Sequence, residues 1–265
     1  MLRDASGPAG SPRRGVRSVE AAGKRRGSPP GGVWLETVLL LALDTATPAV
    51  TVALHDGRDV VAESTTVDAR RHTELLAPAI TGVLRAAGAD RREITEIAVG
   101  VGPGPFTGLR VGLAAAQVLG AALDRPVRGV CSLDVVAHGV IASGGGGRPF
   151  VVATDARRRE VYWAGYDASG RRLTPPQVAT AADAAAAFGQ HLSIAGADDM
   201  TAPAAGAGPR LYPDAFPVAV EPEYPSAADL AAVVVGGYAE IVEPDPLYLR
   251  RPDIAPPAPR KSVLT

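Results

Sequence analysis

Residues 99–117 read VGVGPGPFTGLRVGLAAAQ. β-Branched residues give way to alternating glycine and proline, and then to small apolar residues: a strand, a tight connection and a helix. A glycine-rich connection at the mouth of a helix holds phosphate when its backbone N–H groups stand free. Here Gly100, Gly102 and Gly104 do not follow Gly-x-Gly-x-x-Gly, and Pro103 and Pro105 each remove a donor. Lysine occurs only at Lys24 and Lys261, so no P-loop is present. The stretch reads as a tight turn into a helix. A weak option remains for a nucleotide or small anion at Asp44, Thr45, Gly102, Gly104, Thr107 and Arg110. Thr107 is the expected cap, and the helix runs to about Leu123, before Arg125-Pro126.

That helix carries Gly108, Gly112, Ala116 and Gly120 at every fourth position, a stripe almost without side chains. Interior glycine costs roughly 0.5–1 kcal/mol relative to alanine, so the stripe needs a compensating close approach by another element. Packing inside the chain and docking of a partner both satisfy this. The natural neighbour is a helix from Thr73 to Ala87, whose apolar face includes Leu76, Ile80 and Val83 and whose C-terminal stop is Gly88. If the stripe docks a partner, Gly112→Leu abolishes pairing and leaves the chain folded.

Working outward, VLLLALD (38–44) is a continuous apolar run suited to a strand buried on both faces. AVTVALH (49–55) alternates, Asp56-Gly57 signals a hairpin with φ > 0 at both positions, and RDVVAESTTV returns. ITEIAVGVG and PVRGVCS are further strands, with LDVVAHGVIAS a short helix. GGGG (144–147) marks a boundary. Beyond it the theme repeats. RPFVVATDA and EVYWAGYD flank a charged turn, and RRLTPPQV supplies a third strand. ATAADAAAAFG is a helix, HLSIAG a strand, and PSAADLAAVVVGGYAE a helix capped by Ser226. Two such halves imply a duplicated α/β architecture.

Apolar residues form 46% of 265, enough for a substantial core. The net charge of −1 hides an asymmetry. Residues 1–37 hold seven basic and three acidic groups, leaving 20 basic and 25 acidic groups in the rest. An acidic body lacks the electrostatic footprint of a nucleic-acid binder. Residues 1–37, rich in Gly, Pro, Ser and Arg, read as a disordered basic extension, and the pattern of a fold begins near Val38. WLETVLLLALDTA is interrupted by Glu36 and Asp44, which argues against a signal peptide. No stretch reaches the apolar length of a membrane span. Cys131 is the single cysteine, which excludes a disulfide framework and a cysteine metal cluster. It reads as a small buried residue.

Four segments together resemble the bacterial TsaB (YeaZ) family: LDTATPAVTVAL, GPGPFTGLRVGLAAAQVLG, TDARRREVYWAGYD and PLYLRRPD. The resemblance covers roughly residues 38–253. It implies a two-lobed fold of the actin, sugar-kinase and Hsp70 (ASKHA) superfamily with duplicated ribonuclease H-like lobes. The lobes would be 38–145 and 146–253, with the last helix, 226–240, able to pack back on the first lobe and a Pro-rich tail at 254–265. The implied role is that of a non-catalytic scaffold in forming N6-threonylcarbamoyladenosine in tRNAs that read ANN codons. Its partners would be a catalytic TsaD-like subunit, a TsaE-like ATPase, a second copy of itself, and tRNA reached only through the complex. The setting would be cytoplasmic, without membrane. In that family the helix pair described above forms the interface.

The superfamily cradles phosphates in one glycine-bearing turn per lobe. The matching stretches here are Asp44-Thr45-Ala46-Thr47 and Asp155-Ala156-Arg157-Arg158-Arg159, where alanine and arginines replace glycine. The catalytic relative's His-x-x-x-His metal pair falls on Ser132 and Val136. His138 lacks a partner at that spacing, and His55, His72 and His191 are scattered over surfaces or turns. No cofactor and no metal are expected. The alternatives are a small-molecule kinase or ATPase of the same superfamily and, less well supported, a metallopeptidase. Tyr162 and Trp163 read as core or rim, and Glu160 lies beside them.

Overall fold

The computed structural model describes residues 16–21, 38–194 and 202–250. Its strands and helices are β1 (Val16–Ala21), β2 (Leu40–Asp44), β3 (Ala49–His55), β4 (Val60–Val67), α1 (His72–Ala87), β5 (Glu96–Gly100), α2 (Phe106–Leu123), β6 (Val127–Val130) and α3 (Ser132–Ala142). The second half holds β7 (Phe150–Asp155), β8 (Glu160–Tyr166), β9 (Gln177–Thr180), α4 (Ala181–Ile194), β10 (Ala204–Ala205), α5 (Gly208–Leu211), α6 (Ala227–Gly236) and β11 (Ile241–Val242).

The first sheet runs β1-β4-β3-β2-β5-β6-β11 and the second β10-β7-β8-β9. Both place an antiparallel meander beside a parallel strand: β4-β3-β2 next to β5, and β9-β8-β7 next to β10. The apolar run of β2 is explained by cover on both faces. Leu41 and Leu43 enter a core closed by α1 and α2, whereas Leu40 and Ala42 enter one closed by α6 through Leu230, Ala231 and Val233. In the second sheet, Phe150 and Val152 meet α3 at Leu133 and Val136, and Val151 and Trp163 meet α4 at Phe188.

Several local expectations change. Residues 16–21, read as disordered, pair antiparallel with β4 as an edge strand. HLSIAG is not a strand at its start, because α4 continues to Ile194, and Ala195 and Gly196 lie outside the described residues. The strand beside β7 is β10. Gly57 has φ +89° but Asp56 does not share it. Instead Asp56 Oδ1 accepts from Arg58 N and Asp59 N, and the side chain holds the turn. Ser226 caps α6 by accepting from Ala228 N and Asp229 N. The residues of the 254–265 tail lie outside the described residues.

Candidate functional site

β2 delivers Asp44 to the strand end where the resemblance would put the first phosphate turn. Asp44 is fully buried. Its carboxylate accepts from Ser132 Oγ at 2.6 Å and from Ala46 N at 2.7 Å. Burial pushes its pKa up, and these two hydrogen bonds work against that rise. Gly104 lies so close to the Ala46 carbonyl that a Cβ there would overlap it. Thr45 Oγ1 donates to Gly108 O at 2.8 Å and accepts from Gly112 N at 2.9 Å. The connection before α2 therefore sits directly on the turn after β2. At the positions offered for an anion, Asp44 bonds Ser132 and Ala46, Thr45 bonds Gly108 and Gly112, Gly102 N donates to Ser132 Oγ, and Gly104 packs on the Ala46 carbonyl, so these polar groups are engaged within the chain. Thr107 is exposed and makes no cap, because α2 begins at Phe106 with Pro105 before it. Arg110 is also committed. Its guanidinium lies 4.5 Å from the Phe106 ring centroid, and its Nε donates to Tyr248 Oη at 2.8 Å.

The second turn, between β7 and β8, is more unusual. Arg157, Arg158 and Arg159 have φ of 63°, 54° and 64°. The left-handed region costs an L-residue roughly 1–2 kcal/mol. The turn closes through Glu160 N to Arg157 O and Ala156 N to Glu160 O. Asp155 accepts from Arg157 N and pairs with its guanidinium at 3.3 Å. The chain's last described residues cross between the two turns. Leu247 N donates to Val101 O, the Tyr248 ring stacks on Phe106 at 4.1 Å, and Arg250 pairs with Glu160 and donates to Ala156 O. A cavity of about 520 Å³ remains, lined by Phe106, Arg157, Arg158, Tyr162, Tyr248 and Arg250. Tyr162 and Trp163 themselves are buried. The crossing of Tyr248 and Arg250 depends on contacts far apart in the chain, which no local sequence pattern carries.

The stripe on α2 is covered inside the chain. A Cβ on Gly112 would stand 2.5 Å from Thr45 Oγ1, one on Gly108 2.8 Å from Thr45 O, and one on Gly120 would overlap Val127. Ala116, Leu76 and Val83 are buried in the core that these helices form on the first sheet. The stripe is thus a packing surface, which corrects its direct assignment to a partner interface. The opposite edge of α2 is open. Between α1 and α2 lies an apolar groove of about 660 Å³, lined by Ala77, Ile80, Leu84, Val111, Ala115 and Val118 among others. Val118 is 67% exposed. With both edges apolar, α2 has a mean hydropathy of 1.4 over 18 residues, long and apolar enough by composition to cross a membrane. That overturns the expectation that no stretch reaches that length. Its glycine face rests on Leu43, Thr45 and Val127.

Among the described residues, no three His, Cys, Asp or Glu side chains converge to hold a metal. Ser132 is engaged with Asp44, and Val136 is in the core. The histidines are better housed than their scatter suggested. His55 Nδ1 accepts from Gly57 N, His72 Nε2 bonds Thr47 O at 2.8 Å, and His138 Nδ1 lies 2.9 Å from Asp229. A second polar cluster joins α3 to the β8–β9 connection. Buried Asp134 accepts from Tyr166 Oη at 2.7 Å and Arg172 Nη1 at 2.8 Å. Burial raises the pKa of Asp134, opposed by Arg172 and Tyr166.

Two open mixed sheets of like strand order, with the first cradle turn filled by the chain itself, make this an ASKHA-like fold. Residues 59–214 match the family model "TsaD: tRNA N6-adenosine threonylcarbamoyltransferase". YeaZ from Pseudomonas aeruginosa superposes with a TM-score of 0.64 at 31% identity, covering 80% of this chain and 100% of that one. An uncharacterized Mycobacterium tuberculosis protein is 45% identical over 220 residues, 82% of this chain and 94% of its own length. The Escherichia coli tRNA threonylcarbamoyladenosine biosynthesis protein TsaB is 39% identical over 127 residues, 48% of this chain and 54% of its own. The chain belongs to the TsaD-related family, in its TsaB/YeaZ branch.

Proposed function

We propose that this protein is a non-catalytic subunit that pairs with a TsaD-type threonylcarbamoyltransferase in forming N6-threonylcarbamoyladenosine in tRNA. The groove between α1 and α2 is the observation that carries this. It is an apolar surface beside exposed Val118, on a chain whose first cradle turn is filled from within. Its interface is the Ile80, Leu84, Val111, Ala115 and Val118 face, with the buried stripe serving as its foundation. The same groove suits a second copy of the chain before the catalytic subunit arrives. A TsaE-type ATPase joins the pair, and the setting is the cytoplasm. The shared strand order supports two duplicated ribonuclease H-like lobes, 38–145 and 146–253, with α6 returning to the first sheet.

The test is capture of the TsaD-type subunit of the same organism by the tagged full chain, wild type against Val118→Arg. Val118 is largely in solvent, so the variant keeps its melting temperature and loses the partner. Undiminished capture by the folded variant would disprove the groove as interface. Titration of the chain alone with ATP and Mg²⁺ separates the kinase alternative, and no binding heat is expected.

A further inference from the structure

The arginine turn and its cavity are not used by the groove. Around them stand Arg110, Arg157, Arg158, Arg159 and Arg250, against Asp155 and Glu160. This local excess of positive charge sits on a body that is acidic overall. Most of the Arg157 side chain is in solvent despite its pairing with Asp155, and Arg159 is exposed. Guanidinium groups alternate here with flat rings. Phe106 and Tyr248 stack within 3° of parallel, with Arg110 over Phe106. Charge interleaved with partly exposed rings is the surface that follows a phosphodiester strand, where cations meet phosphates and rings meet sugars or bases. A carboxylate-rich peptide uses the guanidinium groups but not the rings. A single phosphate leaves most of a 520 Å³ cavity empty.

We propose that this cavity and the Arg157–Arg159 turn contact the sugar-phosphate backbone of the RNA being modified. This rests on the function proposed above, because the contact forms once the TsaD-type partner holds the RNA. The acidic body repels RNA at long range, so the isolated chain binds it weakly. Inside the complex the RNA is already local, and short-range contacts then count.

Replacing Arg157, Arg158 and Arg159 together by glycine tests this with the fold preserved. Glycine removes the guanidinium groups and accepts positive φ without strain, so the variant stays folded, as its melting curve shows. The reconstituted complex is titrated with a labelled anticodon stem-loop RNA over a range of salt. We expect affinity to fall about tenfold and the slope of log K against log salt to shrink by roughly two, the signature of two to three lost phosphate contacts. Unchanged affinity and slope in a complex that still assembles would overturn the proposal. So would loss of partner capture by the glycine variant, which assigns the turn to protein docking. Failure of the wild-type chain to capture the partner is seen separately and defeats the functional reading itself, and this inference with it.

Discussion

The hydroxyl of Ser132 donates to Oδ2 of Asp44 across 2.6 Å, tying the first turn of α3 to the end of β2. By the resemblance read from the sequence, Ser132 would fall at a metal-binding histidine of catalytic relatives and Asp44 at the first phosphate turn. In this structure the two residues satisfy each other. Ser132→Ala leaves the buried carboxylate with the Ala46 N–H as its remaining hydrogen-bond donor. A hydrogen bond to a charged group contributes about 1.5–3 kcal/mol, and urea denaturation at neutral pH should show a loss of that order. The loss shrinks on acidification. The pKa of Asp44 is already raised and rises further in the variant, so protonation relieves the variant more than the wild type.

Gly112 provides a second check, because the stripe has two meanings in sequence and packs inside the chain in three dimensions. A Cβ at this position stands 2.5 Å from Thr45 Oγ1, the atom that bridges Gly108 O and Gly112 N. Overpacking of this kind costs about 1–3 kcal/mol. Gly112→Ala should therefore lower stability by that amount and leave partner capture intact at temperatures where it remains folded. Val118→Arg should do the reverse. If Gly112→Ala keeps full stability and loses the partner, the stripe docks after all.

These two residues show what was legible in the sequence. The four-residue period of the stripe demanded a close neighbour, but a strand and a partner helix satisfy that demand equally, and only the fold chooses Thr45 and Val127. The apolar run of β2 was readable because both faces of the sheet are covered. Gly88 was readable too: it closes α1 with φ +62°. Ser226 was readable because a cap is local. Thr107 misled because Pro105, with φ −60°, already sets the entry into α2. Ile194 misled because an alanine-rich helix continues through β-formers until something stops it. The stacking of Tyr248 on Phe106 joins residues more than a hundred positions apart, and no local pattern carries such a contact.

Cys131 is buried in the core between α3 and the second sheet, and burial with nearby Asp134 pushes its pKa to about 12. A thiol held protonated and covered does not react. Native protein should therefore resist alkylation at mildly alkaline pH and label stoichiometrically in denaturant, as mass spectrometry will show. Linkage adds a second expectation. Above the ordinary value of 9.0 the unfolded thiol ionises while the folded one keeps its proton. Between that pH and about 12 the native state binds more protons, and this group makes stability fall as pH rises. Cys131→Ala should flatten that part of the profile.

Arg172 tests the other polar cluster. Its Nη1 lies 2.8 Å from Asp134 Oδ2, and its Nη2 reaches Glu240 at 3.4 Å. Removing one member of a buried pair is far costlier than the pair itself is stabilising, because the remaining charge stays buried without compensation. The Arg172 side chain retains some solvent contact, so Arg172→Ala should cost somewhat less than the roughly 3–5 kcal/mol seen for fully buried pairs. The pH dependence gives the discriminating result. Burial already raises the pKa of Asp134 against the pull of Arg172 and Tyr166. Without the guanidinium it rises further, so the folded variant takes up a proton at a pH where the unfolded chain does not. As pH falls through that window, Asp134 becomes neutral, Tyr166 still bonds it, and the penalty diminishes. Denaturation of variant and wild type at neutral and mildly acidic pH should show their difference narrowing. An equal gap at both would mean that the loss comes from the packing of the Arg172 stem and not from an uncompensated carboxylate.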